Sequence, residues 1–189
     1  TPFGDEYYSP TVIEATLDIN NVKQASLSAE VTYKNDGTDD ASFADVSYFV
    51  NPYTLDVDLD DTKASVSTFA QYLRKGDDVL IGWDLTATYN GVKIESNITK
   101  LEGNFQLGSV IFNIVITPPA DLSTVESYDD FIIITISVDG KAAGKVVWEV
   151  EAGADEPVPY VQFNDGSKQA LADIFESLGE SLEDLEDIL

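Results

Sequence analysis

Three aspartates alternate with apolar residues in one short stretch of the chain. Asp56, Asp58 and Asp60 are separated by Val57 and Leu59, so an extended backbone places three carboxylates on one face, about 7 Å apart. Like charges at that spacing repel each other unless a counter-charge neutralises them. Because Ca²⁺ prefers carboxylate and carbonyl oxygens as ligands, the stretch predicts a structural calcium site.

Further carboxylates stand at expected strand ends, beside turns whose backbone carbonyls would add oxygen ligands. None of them has the spacing of an EF-hand loop, and the alternative interpretation is a solvated acidic surface. These additional candidate metal ligands are Asp61, Asp36, Asp39, Asp40, Asp77, Asp78, Asp129 and Asp130.

The composition excludes several classes of function. The chain contains no Cys and no His, which removes disulfides, thiol nucleophiles, Ser-His-Asp triads and His-ligated zinc. Ten Lys and Arg stand against 35 Asp and Glu, a formal net charge of -25, so nucleic acid is not an expected partner. Carboxylate pairs could serve a glycosidase, but no pair is distinguished from the others. We therefore predict no enzyme and no catalytic residues.

Alternation with a period of two dominates the chain between residues 11 and 151. Leu27, Ala29 and Val31 are apolar, whereas Ser28 and Glu30 between them are polar, the pattern of a half-buried antiparallel strand. Asn90-Gly91 is a strong signal for a two-residue hairpin. The predicted strands span residues 13–19, 24–34, 42–50, 78–89, 92–99, 105–117, 131–138 and 145–151.

Two stretches have helical spacing instead. In residues 65–75 the apolar residues Val66, Phe69, Ala70 and Leu73 follow the helical period, which predicts a short helix crossing the end of the sheet. At the C-terminus, Ser167 is a candidate helix cap, and an acidic amphipathic helix is expected to follow. Its apolar stripe would comprise Leu171, Ile174, Phe175 and Leu178, resuming after Ser181 with Leu182, Leu185, Ile188 and Leu189.

The N-terminal residues carry three aromatic side chains but lack an evident partner strand. Residues 1–10 are either a frayed end or an extended arm that adds to the sheet edge of a neighbouring subunit. If the first strand belonged to the donor, it would present Ile13, Ala15, Leu17 and Ile19. The candidate assembly residues are Phe3, Tyr7, Tyr8, Val12 and Ile13.

The chain begins with Thr1 and contains no Met, which we interpret as a cleaved secretory signal peptide. An extracellular or cell-surface location is expected. No apolar run approaches the length of a membrane span. In a secreted protein, Asn97 would be a glycosylation candidate because Asn97-Ile98-Thr99 is an acceptor sequence.

Together these patterns predict an all-β fold, a β-sandwich of jelly-roll type with one short crossing helix. The expected organisation is an N-terminal arm over residues 1–10, the sandwich over 11–152, and a linker with an acidic helical segment over 153–189.

The architecture resembles the subunits of archaeal cannulae, which are extracellular tubules, and more distantly the camelysin and TasA-like fibre proteins. The resemblance rests on the cleaved start, the arm, the Cys-free jelly roll and two segments. The first is a short helix followed by Lys75-Gly76-Asp77-Asp78-Val79 at the opening of a long strand, and the second is residues 112–122, which read FNIVITPPADL. It implies a secreted subunit that polymerises with identical subunits by donor-strand complementation, with Ca²⁺ promoting assembly. The acidic C-terminus departs from the bacterial fibre pattern.

The function expected from the sequence is therefore that of a self-assembling structural subunit in which Ca²⁺ bridges acidic clusters. The alternative is a Ca²⁺-dependent cell-surface or carbohydrate-binding module, and a viral coat subunit is a third possibility. Exposed aromatic residues would favour the binding module, but Trp83 and Trp148 are in phase with apolar neighbours and are expected to point inward.

Overall fold

A computed structural model describes residues 11–35, 40–121, 123, 125–151 and 156–176. Twelve antiparallel strands form one sheet in this part of the chain. The strands are β1 (Val12–Ile19), β2 (Val22–Tyr33), β3 (Ala41–Val50), β4 (Tyr53–Asp60), β5 (Val66–Lys75), β6 (Asp78–Tyr89), β7 (Ile98–Leu107), β8 (Val110–Ile116), β9 (Ile132–Val138), β10 (Lys141–Val150), β11 (Pro157–Phe163) and β12 (Lys168–Ala170).

Each strand pairs with the strands before and after it in the sequence, so the sheet is an up-and-down meander. Tight turns make this order possible. Asn20 and Asn21, between β1 and β2, both have positive φ, as in the type I′ turns that suit two-residue hairpins. The all-β prediction is confirmed. The described strands contain none of the crossovers that interleave the strands of a jelly roll.

The core lies at the C-terminal end of the sheet, where Phe112, Ile136, Val146 and Val161 are buried together. A short helix, α1 (residues 171–176), follows β12. Leu171 and Ile174 of α1 pack against the core, and the ring of Phe175 lies 5.7 Å from that of Phe112. The apolar stripe predicted for this helix is confirmed over these three residues. Leu178 and the second stripe lie outside the described residues.

The start of the C-terminal helix was predicted too early. Ser167 precedes β12 rather than capping a helix, and residues 157–163 form β11, which pairs with β10 over seven residues. Residues 157–170 therefore extend the sheet, where the sequence had suggested a linker and the first turns of a helix.

The crossing helix predicted over residues 65–75 is wrong, because this segment is β5. It pairs with β4 on one side and with β6 on the other. Phe69 and Leu73 are four residues apart and therefore share a face in a strand as well as in a helix. Backbone pairing with two neighbouring strands decided between these conformations.

Other strand boundaries also differ from the prediction, and β10 begins at Lys141 rather than at residue 145. Residues 92–97 form a loop with a 3₁₀ turn at Glu95–Asn97, and β7 begins only at Ile98, so Asn90-Gly91 is not a two-residue hairpin. The long strand predicted over residues 105–117 is two strands, β7 and β8, separated by a turn at Gly108, which has a φ of 55°. Within the described residues, no helix is long and apolar enough to cross a membrane.

Candidate assembly edge and carboxylate row

Among the residues that the structure describes, strand β1 is an open edge of the sheet. It pairs with β2, and all eight of its side chains are exposed. The carbonyl of Thr11 accepts a hydrogen bond from the amide of Val31 at 2.8 Å, so the odd-numbered residues direct their backbone groups towards β2. Because the direction alternates along an antiparallel strand, the backbone groups of Val12, Glu14, Thr16 and Asp18 point away from the sheet.

No described residue covers the apolar side chains at this end of the sheet. Leu17, Ala25 and Val50 are paired across β1, β2 and β3 and so share a face, as do Ala15, Leu27 and Tyr48 in the neighbouring row. We call the exposed large residues of this face the N-terminal patch: Ile13, Leu17, Ile19, Tyr48 and Val50, which are between 37% and 55% exposed. The equivalent face at the other end of the sheet is covered by α1.

Of the assembly residues expected from the sequence, Val12 and Ile13 lie on this edge. Val12 is 65% exposed, and both residues pair with β2 of their own chain. Phe3, Tyr7 and Tyr8 lie outside the described residues. The structure therefore shows that β1, which follows the predicted arm, lies at the edge of the sheet, and the arm itself remains a prediction.

The opposite edge of the sheet is poorly suited to the addition of another strand. Strand β12 has three residues, and it pairs with residues 160–162 of β11. The rest of β11 carries Pro157 and Pro159, which have no N–H to donate to an added strand. The amide of Phe163 donates to the carbonyl of Ser167 on the outer side; by alternation, the nitrogens of both prolines face outward too.

A row of residues that are polar in every strand except β5, where Ala70 interrupts it, crosses the other face of the sheet. Residues paired directly across neighbouring strands share a face, and the pairings connect one residue of each strand from β2 to β12. We call this set the polar row: Glu30, Asp45, Asp58, Ala70, Asp84, Asn104, Asn113, Thr135, Lys145, Gln162 and Lys168. Its carboxylates lie in the N-terminal half and its lysines at the C-terminal end.

Asp58 occupies the most unfavourable position in the polar row. It lies directly opposite Asp45 of β3. Partial burial raises the pKa of Asp58, and the charges of Asp45 and Asp56 raise it further, against a smaller lowering by Arg74. Asp56, predicted to be a metal ligand beside it, instead accepts hydrogen bonds from Arg74 and from the Ser47 hydroxyl, the latter at 2.8 Å.

Asp61 is already neutralised by lysines. Its carboxylate lies 3.1 Å from Lys34 Nζ and 2.7 Å from Lys93 Nζ, and it accepts a hydrogen bond from the Ser67 hydroxyl. Burial alone would raise the pKa of Asp61, but the hydrogen bonds from Lys93, Ser67 and Lys34 outweigh it and lower the pKa to about 2. These contacts join the 90–97 loop to the ends of β2 and β4.

Asp60 has a local structural role. It accepts hydrogen bonds from the backbone amide and hydroxyl of Thr62, at 3.0 and 2.6 Å. These bonds lower its pKa, and Lys63 contributes a smaller lowering. The three carboxylates that the sequence placed on one face are on one face, but Asp56 and Asp60 are engaged by other side chains.

The remaining predicted ligands are scattered. Asp40, Asp77 and Asp78 are exposed, and Asp130 forms a capping box with Ser127, whose hydroxyl also accepts from the Asp129 amide. Asp36 and Asp39 lie outside the described residues. Among the residues the structure describes, no three acidic side chains converge as a group that could hold a metal ion.

Asn97, the glycosylation candidate, ends the 3₁₀ turn before β7. Its Nδ2, the atom that would carry a glycan, donates a hydrogen bond to the carbonyl of Val92 at 2.8 Å. That bond closes the loop, so glycosylation in the folded state would require the loop to open.

The structure also shows an aromatic pocket that the sequence did not reveal. It has a volume of about 460 Å³ and is lined by Glu126, Tyr128, Phe131 and Trp148, among others. The ring of Tyr128 lies 5.6 Å from that of Phe131 and 5.1 Å from that of Trp148. Trp148 points towards the core as expected, and its buried indole nitrogen has no hydrogen-bond partner in the described structure. The pocket depends on a loop meeting β10, a proximity that local periodicity does not encode.

Comparison of the chain with protein-family models, with curated proteins and with solved structures finds no match.

Proposed function

We propose that this protein is a structural subunit of an extracellular filament or tubule that assembles from copies of itself. The observation that carries the proposal is the open β1 edge beside the uncovered N-terminal patch. Native proteins usually protect such edges with lysine, proline or a covering element. The sequence of β1, VIEATLDI, contains neither lysine nor proline, and its only charged residues are Glu14 and Asp18.

A group of exposed apolar side chains on one face, such as the N-terminal patch, favours an interaction surface. A contiguous uncovered patch next to unpaired backbone groups offers both of the contributions that strand addition uses, main-chain hydrogen bonds and side-chain burial. The predicted N-terminal arm immediately precedes β1, and in this proposal it is the donor strand that links one subunit to the next.

Calcium has a bridging role in this proposal. Since no three described acidic side chains converge within one chain, Ca²⁺ would bind between subunits, where the carboxylates of two polar rows face each other. Asp45 and Asp58 are the candidate ligands because they repel each other across β3 and β4, and a cation would relieve that repulsion.

The test is assembly of the full chain, followed by light scattering and negative-stain microscopy in millimolar CaCl₂ and after addition of EDTA. Ordered fibres or tubes that grow with Ca²⁺ and shrink with EDTA are expected. The double variant D45N/D58N should lose the Ca²⁺ response, whereas D77N/D78N, at an exposed turn, should keep it. A monodisperse monomer under all conditions would contradict the proposal.

A second candidate function, a carbohydrate-binding module, is favoured by the aromatic pocket. Sugar rings stack on aromatic faces, and Glu126 at the wall offers an acceptor for sugar hydroxyls. Glycan-array binding by the wild type that is lost in Y128A would support this candidate. Binding by a protein that stays monomeric would place it ahead of the filament subunit.

A further inference from the structure

We infer that β1 pairs antiparallel with β1 of a second copy, in the register that places Ala15 opposite Ala15. This inference rests on the proposed function and specifies one of its contacts. Two sheets would thereby join at their open edges into one continuous sheet related by a twofold axis.

The backbone of β1 permits this pairing. The outward N–H and C=O groups belong to even-numbered residues, so a second β1 must also present its even-numbered residues. Opposed residues in an antiparallel pair must share a face of the sheet. Even-numbered residues must therefore lie opposite even-numbered residues, and this holds only when the twofold axis passes through a residue rather than between two. With Ala15 at the centre, Glu14 faces Thr16 and Val12 faces Asp18 as hydrogen-bonded pairs.

Charge selects this register over its neighbours. A pairing centred on Glu14 would place Glu14 opposite itself, and one centred on Thr16 would place Glu14 opposite Asp18. Both oppose like charges, which destabilises strand pairing. The Ala15 register leaves no carboxylate opposite another. On the apolar face it places Ile13 opposite Leu17, which joins the N-terminal patches of the two copies.

The far edge of the sheet does not compete for β1. Pro157 and Pro159 remove two donors from β11, and β12 has only three residues, so head-to-tail pairing of β1 with that edge is disfavoured. A twofold contact closes on two copies. A filament therefore requires a second contact between the dimers, and the predicted arm over residues 1–10 would make it on a surface other than the β1 edge, which this pairing occupies.

The chain contains no Cys, so a single introduced cysteine reports the register directly. In the Ala15 register the two central residues form a non-hydrogen-bonded pair with Cα atoms about 4.5 Å apart, within disulfide range. A15C is expected to form a covalent dimer under mild oxidation, whereas A64C, on an exposed loop, should form little. Non-reducing electrophoresis measures the yield.

A pair of charge variants tests the same register without a disulfide. T16K places lysine opposite Glu14 of the other copy and should lower the dimer dissociation constant about fivefold, as two exposed cross-strand ion pairs would. T16E should raise it by a similar factor. Sedimentation velocity of the full chain measures both, without Ca²⁺.

The outcomes separate this inference from the proposed function. If the wild type is a monomer and A15C does not cross-link, the edge pairing is overturned. This holds whatever the reason, including coverage of the edge by residues 1–10 or 177–189. Cross-linking of T16C in preference to A15C, or weaker association of T16K, overturns the register. Fibres without A15C cross-linking would support the filament proposal and overturn the edge pairing. A15C dimers without fibres would support the edge pairing and contradict the filament proposal.

Discussion

Asp61, which the sequence predicted to be a metal ligand, has a structural role. Two lysines from distant segments and one hydroxyl converge on its carboxylate, and its side chain is only 18% exposed. In a chain with 35 acidic and 10 basic residues, most carboxylates cannot be paired with a basic side chain, yet Asp61 is paired with two lysines. Their use here ties the 90–97 loop to the sheet.

We expect D61N to lower the free energy of unfolding at pH 7 by about 2 kcal/mol, since each unit of pKa shift corresponds to about 1.4 kcal/mol. The folded pKa of about 2 lies below the ordinary value of 3.8. The stabilisation is therefore complete above about pH 4 and is lost as the pH falls through about 2, because the unfolded chain binds the proton first. Urea unfolding between pH 2 and 7 would measure this, with D77N as the control. An unchanged stability in D61N would contradict the role.

At the scale of secondary-structure elements, α1 closes the core. Its three apolar residues meet the rings and aliphatic side chains of β7 to β11, and Phe175 lies 6.2 Å from Phe105 as well as close to Phe112. A six-residue helix is too short to be stable in isolation, so its conformation depends on this packing.

Truncating Phe175 should therefore loosen the C-terminal end of the sheet. We expect F175A to lower the free energy of unfolding by about 1–2 kcal/mol, less than the ~3–5 kcal/mol of a buried phenylalanine, because the ring is 41% exposed. D173A, on the exposed side of α1, is the matched control. Urea denaturation followed by tryptophan fluorescence measures both, and equal stabilities would show that α1 contributes nothing to the core.

The elements of this fold were predictable to different degrees. A strand with clean alternation, such as β2, was identified because one face is apolar and the other polar, whereas β9 was identified as a buried run of apolar residues. The segment that forms β5 was misassigned because Phe69 and Leu73 satisfy both periods, and pairing with β4 and β6 is invisible locally. The polar row could not be predicted, since it depends on the register of ten strand pairs. The same limit applies to the open edge. The sequence predicted that β1 is a strand, but not that this strand lies at the edge of the sheet.

At the scale of the whole molecule, charge opposes association. Every copy carries a formal net charge of -25, and the carboxylates of the polar row lie in the half that contains β1. Two copies brought together at that edge repel each other at low ionic strength, where the screening length is about 30 Å. Assembly should therefore respond to salt before any specific cation is considered.

We expect the dissociation constant for self-association to fall as NaCl rises from about 10 to about 150 mM, over which the screening length shortens to about 8 Å. CaCl₂ at matched ionic strength should strengthen association further if carboxylates bind the ion. Light scattering across the two titrations measures the difference. Identical curves for the two salts would show general screening and contradict a bridging calcium site.

The sequential order of the strands has a consequence for how the molecule opens. Each strand exchanges hydrogen bonds with its immediate neighbours in sequence, so cooperativity passes from hairpin to hairpin, as it does between the units of a repeat protein. The buried cluster anchors β8 to β11, whereas no buried cluster of the described residues includes β1. Fraying should begin at β1 and proceed inward, and amide protection against hydrogen exchange should rise along the chain towards β9 and β10. The edge available to a partner is then also the least protected strand of the free subunit, and association would slow exchange there more than anywhere else.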